Sequence, residues 1–258
     1  MLKKLIKYDF IWINKFMMIY FSISLIVCVL TRIMSYFTDS FFCNLIYLIL
    51  RGVAISCFVS ILINCVIRVW ARFSLQTYKD ESYLTHTLPV SKKTLFNSKI
   101  ISSIISLILS IVVILVCFLI VYLDKDFIEY IKDFIEADNA LFIVLSLILT
   151  VILETTYALN CGIIGMLIGH KSNSKRMLKS IIVGIALYFI IQSILLGVVY
   201  SVGLLNSQVN ELFTNASDAN FISSVKSLVI IANCIYLVFI SGMYFVGKKL
   251  FNDGVNVD

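Results

Sequence analysis

Four side chains invite a chemical reading before any others: His86, His170, Arg51 and Glu154. The two histidines are the only ones in the chain, and neither belongs to an H-E-x-x-H pair that would hold zinc. There is no G-x-S-x-G elbow and no glycine-rich phosphate loop, so hydrolytic and nucleotide-binding chemistry lack their residues. Serines such as Ser110 and Ser193 stand singly in apolar runs, where a hydroxyl usually bonds its own helix backbone. Seven cysteines (Cys28, Cys43, Cys57, Cys65, Cys117, Cys161 and Cys234) lie in or beside apolar runs, with no C-x-x-C pair. They read as small packing residues, not as a zinc site or a disulfide framework. The chain is therefore not expected to be an enzyme, and it is expected to bind no cofactor or metal of its own.

Arg51 and Glu154 are the exceptions, because each is an ionisable group inside an apolar run. Charges at membrane depth are costly and usually face a bundle interior or a watery cavity. Arg51 lies 17 positions before Arg68, and Glu154 lies 16 positions before His170. At about 1.5 Å per residue, each stands roughly 25 Å from its reference end. Two helices running the same way would bring them to one depth, as a structural ion pair or as a polar patch in a substrate path; alternatively Arg51 snorkels to the nearby outer interface.

The elements that carry these residues follow from composition. The chain is 60% hydrophobic and 14% charged, with a mean hydropathy of +1.01. A soluble domain carries about a quarter charged residues. Apolar runs of membrane-crossing length recur at 16–37, 43–68, 100–122, 140–167, 180–203 and 225–246. They lack the alternation of a transmembrane barrel. The expected fold is all-α: one polytopic transmembrane domain, 1–258, with six helices. Its basic start is followed by no small-residue cleavage site, and Val27 rather than a small residue precedes Cys28, so the first helix is expected to be retained.

Orientation follows the lysines and arginines. With both termini inside, segments 1–15, 68–99, 168–179 and 247–258 hold 16 of the 21 basic residues. Trp12 and Trp70 fall at the same interface. A multi-pass protein of the cell membrane with cytoplasmic termini is expected. Residues 1–15 place Leu2, Leu5, Ile6 and Phe10 at helical spacing, away from Lys3, Lys4 and Lys7, which suits a short interfacial helix. The outer loop "DKDFIEYIKDFIEAD" has the pattern of another amphipathic helix. The last outer loop is polar, and its Asn215-Ala216-Ser217 triplet is a chance-level glycosylation match.

One inner segment is unlike the rest. The stretch "DESYLTHTLPVSKKTLFNSK", 80–99, is polar and basic and carries the only proline, Pro89. Pro89 blocks helix continuation and pushes Leu88 toward extended backbone. Ser91 suits the N-cap of the helix entering the third span. The expected shape is a short helix within 73–90, a break, then a basic entry into the membrane. The positive-inside rule accounts for the lysines, but not for apolar and aromatic side chains at Tyr83, Leu84 and Leu88.

From Tyr83 to Lys99, "YLTHTLPVSKKTLFNSK" resembles the first cytoplasmic loop of permease subunits in bacterial ATP-binding cassette (ABC) exporters of the type-two family. The match covers about twenty residues; beyond it the resemblance is one of architecture. It implies a permease dimer, with an identical or paralogous second copy, bound to two separate ABC ATPase subunits. ATP and Mg would then belong to those partners, and the cargo would be a peptide or antimicrobial, a drug or a lipid-like molecule. The loop would be the coupling helix, with Tyr83, Leu84, Thr85, Thr87, Leu88 and Pro89 docking on the ATPase and Lys92 and Lys93 flanking them. His86 departs from the family pattern. The lipid bilayer is the other expected partner, and nucleic acid is not one. The competing classes are a substrate-binding membrane component of a vitamin importer and a non-transporting immunity or signalling membrane protein.

Overall fold

The computed structural model describes residues 1–38, 40–79, 81–123, 140–172, 174–205 and 218–253. These residues form seven α-helices and a short 3-10 turn, with no strand among them. Six of the helices are long and apolar enough to cross a membrane, the architecture of a multi-pass membrane protein. The expected outer-loop helix at 124–138 and the Asn215 triplet lie outside the described residues. The helices fall into two compact units, Met1–Tyr130 and Ile131–Asp258.

The first unit packs three long helices: α1 (Leu2–Met34), α2 (Phe41–Tyr78) and α4 (Lys92–Tyr122), with the short α3 (Ser82–Thr87) between α2 and α4. Residues 2–15 do not form a separate interfacial helix; they run without a break into the first span. The reason is one continuous buried stripe: Asp9, Ile13, Met17, Phe21, Ser24, Cys28 and Thr31 recur every three or four residues. α2 likewise runs past its expected end at 68. Ile61, Cys65, Val69, Phe73 and Thr77 continue one i, i+4 row to its last turn. At 1.5 Å per residue its 38 residues span about 57 Å, well beyond a hydrocarbon core of about 30 Å.

Small side chains let these helices approach. Cys28, Ala54, Cys117 and Val121 form one core cluster. On α4, Ser98, Ser102, Ser103, Ser106 and Ser110 are all buried. Ser110 donates to the Ser106 carbonyl at 2.9 Å and Ser102 to the Lys99 carbonyl at 3.0 Å, so their hydroxyls are satisfied within the helix. Asn14 reaches from α1 to Ser106 Oγ at 2.9 Å. Lipid tails are as apolar as the side chains, so close packing and such interhelical bonds hold the unit together.

The second unit consists of α5 (Ala140–Gly169), α6 (Arg176–Leu205) and α7 (Asp218–Asn252), with α5 packed against both others. The α5–α6 crossing is glycine-lined. A Cβ at Gly165 would stand 2.6 Å from the Ser180 carbonyl oxygen and 2.8 Å from the Gly184 nitrogen, so only glycine fits. Gly165 and Gly169 form a G-x-x-x-G step, the spacing that brings two membrane helices into backbone contact. On its other flank, Leu153, Tyr157, Cys161 and Ile164 join Ile191, Tyr236 and Met243 in the core. All seven cysteines are free; Cys28, Cys65, Cys117 and Cys161 are buried as packing residues.

Candidate functional site

The segment singled out by its proline folds as a helix, a break and a helix. α2 ends at Tyr78, and Lys79 is extended. Glu81 starts α3, where its carbonyl accepts from the Thr85 amide at 3.0 Å and the Thr85 hydroxyl at 2.8 Å. Leu88 is extended at φ −62°, ψ 136°, as a residue before proline should be. Ser91 caps α4, its hydroxyl accepting from the Thr94 amide at 3.2 Å.

α3 has two faces. Ser82 and Thr85, one turn apart, are buried. Tyr83 and Leu84 are 75% and 67% exposed, and Thr87, Leu88, Pro89, Lys92 and Lys93 are also exposed. Of the residues expected to dock a partner, Thr85 turns inward and the others form one outward patch. An aromatic ring and two leucines facing outward on a polar segment, flanked by two lysines, make an amphipathic surface. The His86 side chain lies outside what the structure describes.

Behind this patch is a group of charges that the sequence reading did not single out. Arg72 Nε donates to Asp9 Oδ1 at 3.0 Å, and Arg72 NH1 donates to Glu81 Oε2 at 2.7 Å. Gln76 Nε2 donates to the same Asp9 oxygen at 2.8 Å, and Lys99 Nζ donates to Gln76 Oε1. The Arg72 guanidinium also lies over the Trp12 ring, 5.0 Å from its centroid. Asp9 and Lys99 are buried. One arginine thus links α1, α2 and the start of α3, and Gln76 carries the link to α4. The four charged groups balance, two acids against two bases, which is what lets Asp9 and Lys99 sit buried. The space among Asp9, Arg72 and Lys99 is about 10 Å³, at the lower edge of what one water needs, so this is a tie between helices and no ligand pocket.

Two chemical signals were available in the sequence. Asp9 is the only acid in the first 38 residues, set among four lysines, and it falls on the same helical stripe as Ile13 and Met17. Gln76 and Lys99 carried no such local signal.

The intramembrane pair divides between the units. Arg51, on α2, lies 4.6 Å from the centroid of the Tyr122 ring and also interacts with Tyr47. Glu154, on α5, is half-buried. Among the described residues, no group of three His, Cys, Asp or Glu side chains is placed to hold a metal ion. No family model, curated protein or solved structure matches the chain.

Proposed function

We propose that this chain is the membrane-spanning permease subunit of an ABC exporter, driven by a separate ATPase that docks on α3. The observation that carries this reading is the outward patch of Tyr83, Leu84 and Leu88 on a six-residue helix between two long apolar ones, backed by a buried polar tie. The resemblance of residues 83–99 to the exporter loop points to the same partner. In this reading both termini and α3 are cytoplasmic, in the cell membrane, which the distribution of lysine and arginine favours. Two ATPase subunits hold ATP and Mg, and a second permease copy or a paralogue completes the assembly.

The tie supplies a mechanical route. A push on α3 moves Glu81, which pulls on Arg72; Arg72 shares Asp9 with Gln76, and Gln76 holds Lys99. Displacement of a six-residue helix is thereby passed to α1, α2 and α4 together. Buried charge pairs resist separation, so the three helices move as a body while the more exposed Arg72–Glu81 bond can flex. Purification of the tagged chain from the cells that naturally make it, with probing for an ABC ATPase, tests the proposal. Co-purification is expected, and Leu88→Asp is expected to abolish it. A wild-type chain that brings down no ATPase contradicts the proposal.

A further inference from the structure

The second unit gathers cations at one turn. Between Glu154 and Glu211 the sequence holds no acid, while residues 168–179 hold Lys171, Lys175, Arg176 and Lys179. α5 ends at Gly169 and α6 begins at Arg176. Both are long and apolar enough to cross a membrane, which sets the turn between them at headgroup level. The turn is tightly held. A Cβ at Gly169 would collide with Ser180, whose hydroxyl donates to the Arg176 carbonyl at 2.9 Å and stands 3.1 Å from His170 Nδ1.

Two of the cations converge on one residue. Arg176 Nε donates to the Ser172 carbonyl at 3.2 Å, and Lys179 Nζ donates to the Ser172 hydroxyl. Lys171 is its neighbour in the chain, and Lys171, Lys175 and Lys179 are all exposed. Serine is neutral, so these bonds order the positive groups without offsetting their charge. In the first unit, by contrast, Arg72 is bonded to Asp9 and Glu81. An apolar track starts at the same place. Met177, Ile181, Ile185 and Phe189 form one i, i+4 row of α6, and all four are exposed. From Met177 to Phe189 the row runs about 18 Å along the helix.

We propose that this turn binds an anionic phospholipid, its phosphate held by Lys171, Arg176 and Lys179 and an acyl chain lying along the Met177 row. Basic groups just beyond a membrane helix attract anionic headgroups. A guanidinium matches the geometry of a phosphate, and the ammonium groups add point charges beside it. A free phosphate would use the cations and leave the apolar row uncovered. A symmetric second copy seated on the row would bring its own set of the same cations up against this one. A molecule with a negative head and an apolar tail matches both features at once. The inference goes beyond the permease reading and needs no ATPase, so either idea can fail alone.

The test is native mass spectrometry of the full chain in an uncharged detergent, titrated with dioleoylphosphatidylglycerol or dioleoylphosphatidylcholine. These lipids share their tails and differ in headgroup charge. Wild-type protein is expected to bind the anionic lipid at least about tenfold more tightly. Lys171→Gln with Lys179→Gln is expected to cut that preference to within about threefold. Lys171→Arg with Lys179→Arg keeps the charge and is expected to keep the preference, which separates a lost site from a lost fold. Lys3→Gln with Lys7→Gln removes as much charge from α1 and is expected to leave the preference intact. Glycerol 3-phosphate is expected not to displace the lipid. Equal affinity of wild type for the two lipids overturns the proposal, as does a glutamine pair that keeps the wild-type preference. So does an arginine pair as weak as the glutamine pair, an equal loss in the α1 pair, or displacement by glycerol 3-phosphate.

Discussion

The two units solve the same problem, three apolar helices in lipid, by different means. The first joins its helices with polar groups: a serine row on α4, Asn14 bonded to Ser106, and the charges Asp9, Arg72, Glu81 and Lys99 at one end. The second relies on shape, with glycines at the α5–α6 crossing and stacked tyrosines in the core. The four charges of the first unit's tie compensate one another. The comparison teaches that three apolar helices can be held together by compensated polar groups or by close backbone approach.

The largest effect should come from breaking the compensated group. Asp9→Asn removes one of two acids and leaves Arg72 and Lys99 with an excess of buried positive charge. A loss of about 3–5 kcal/mol is expected, read as a lower midpoint in denaturant titration of the purified protein. A midpoint equal to wild type would mean that the network is ornamental. Next in size is Gly165→Ala in the second unit, where the new methyl meets the backbone of Ser180 and Gly184. About 1–3 kcal/mol should be lost, while Gly197→Ala, with nothing within 4 Å of its Cβ, should be neutral or slightly stabilising. Equal losses at both positions would refute packing by shape.

The smallest stability effect belongs to Glu81→Gln. This side chain is 42% exposed, and a pair of that kind contributes at most about 1 kcal/mol. Stability should hardly change, but ATPase stimulation by the permease should fall severalfold, because the link from α3 to Arg72 is cut. Unchanged stimulation would show that force reaches the first unit by another route.

Much of this architecture is legible in the sequence, and the exceptions have physical causes. Apolar runs announce the six long helices, because a membrane demands continuous hydrophobicity. Pro89 and Ser91 announce the break before α4, since their effects are local to the backbone. Helix ends are harder to read. Residues 69–78 look like a loop by composition, but Val69, Phe73 and Thr77 extend a buried row, and packing prolongs the helix to Tyr78. The G-x-x-x-G step at Gly165 and Gly169 is written in plain spacing, but its meaning depends on Ser180 and Gly184 facing it. The polar tie is least legible of all. Positions 9, 72, 76 and 99 meet only once three helices are packed, and by charge counting Arg72 and Lys99 look like ordinary inner-side residues.

The claim that α3 receives work from an ATPase is tested most directly by photo-crosslinking. A photoreactive phenylalanine analogue is placed at Leu84 and, separately, at Tyr36, both strongly exposed in the first unit. Tyr36 follows α1, whose far end lies roughly 40 Å along the helix from Asp9. With crosslinking carried out in the cells that naturally make the protein, the account predicts a crosslinked ATPase band from position 84 and none from position 36. No band at 84, or equal bands at both positions, would contradict it.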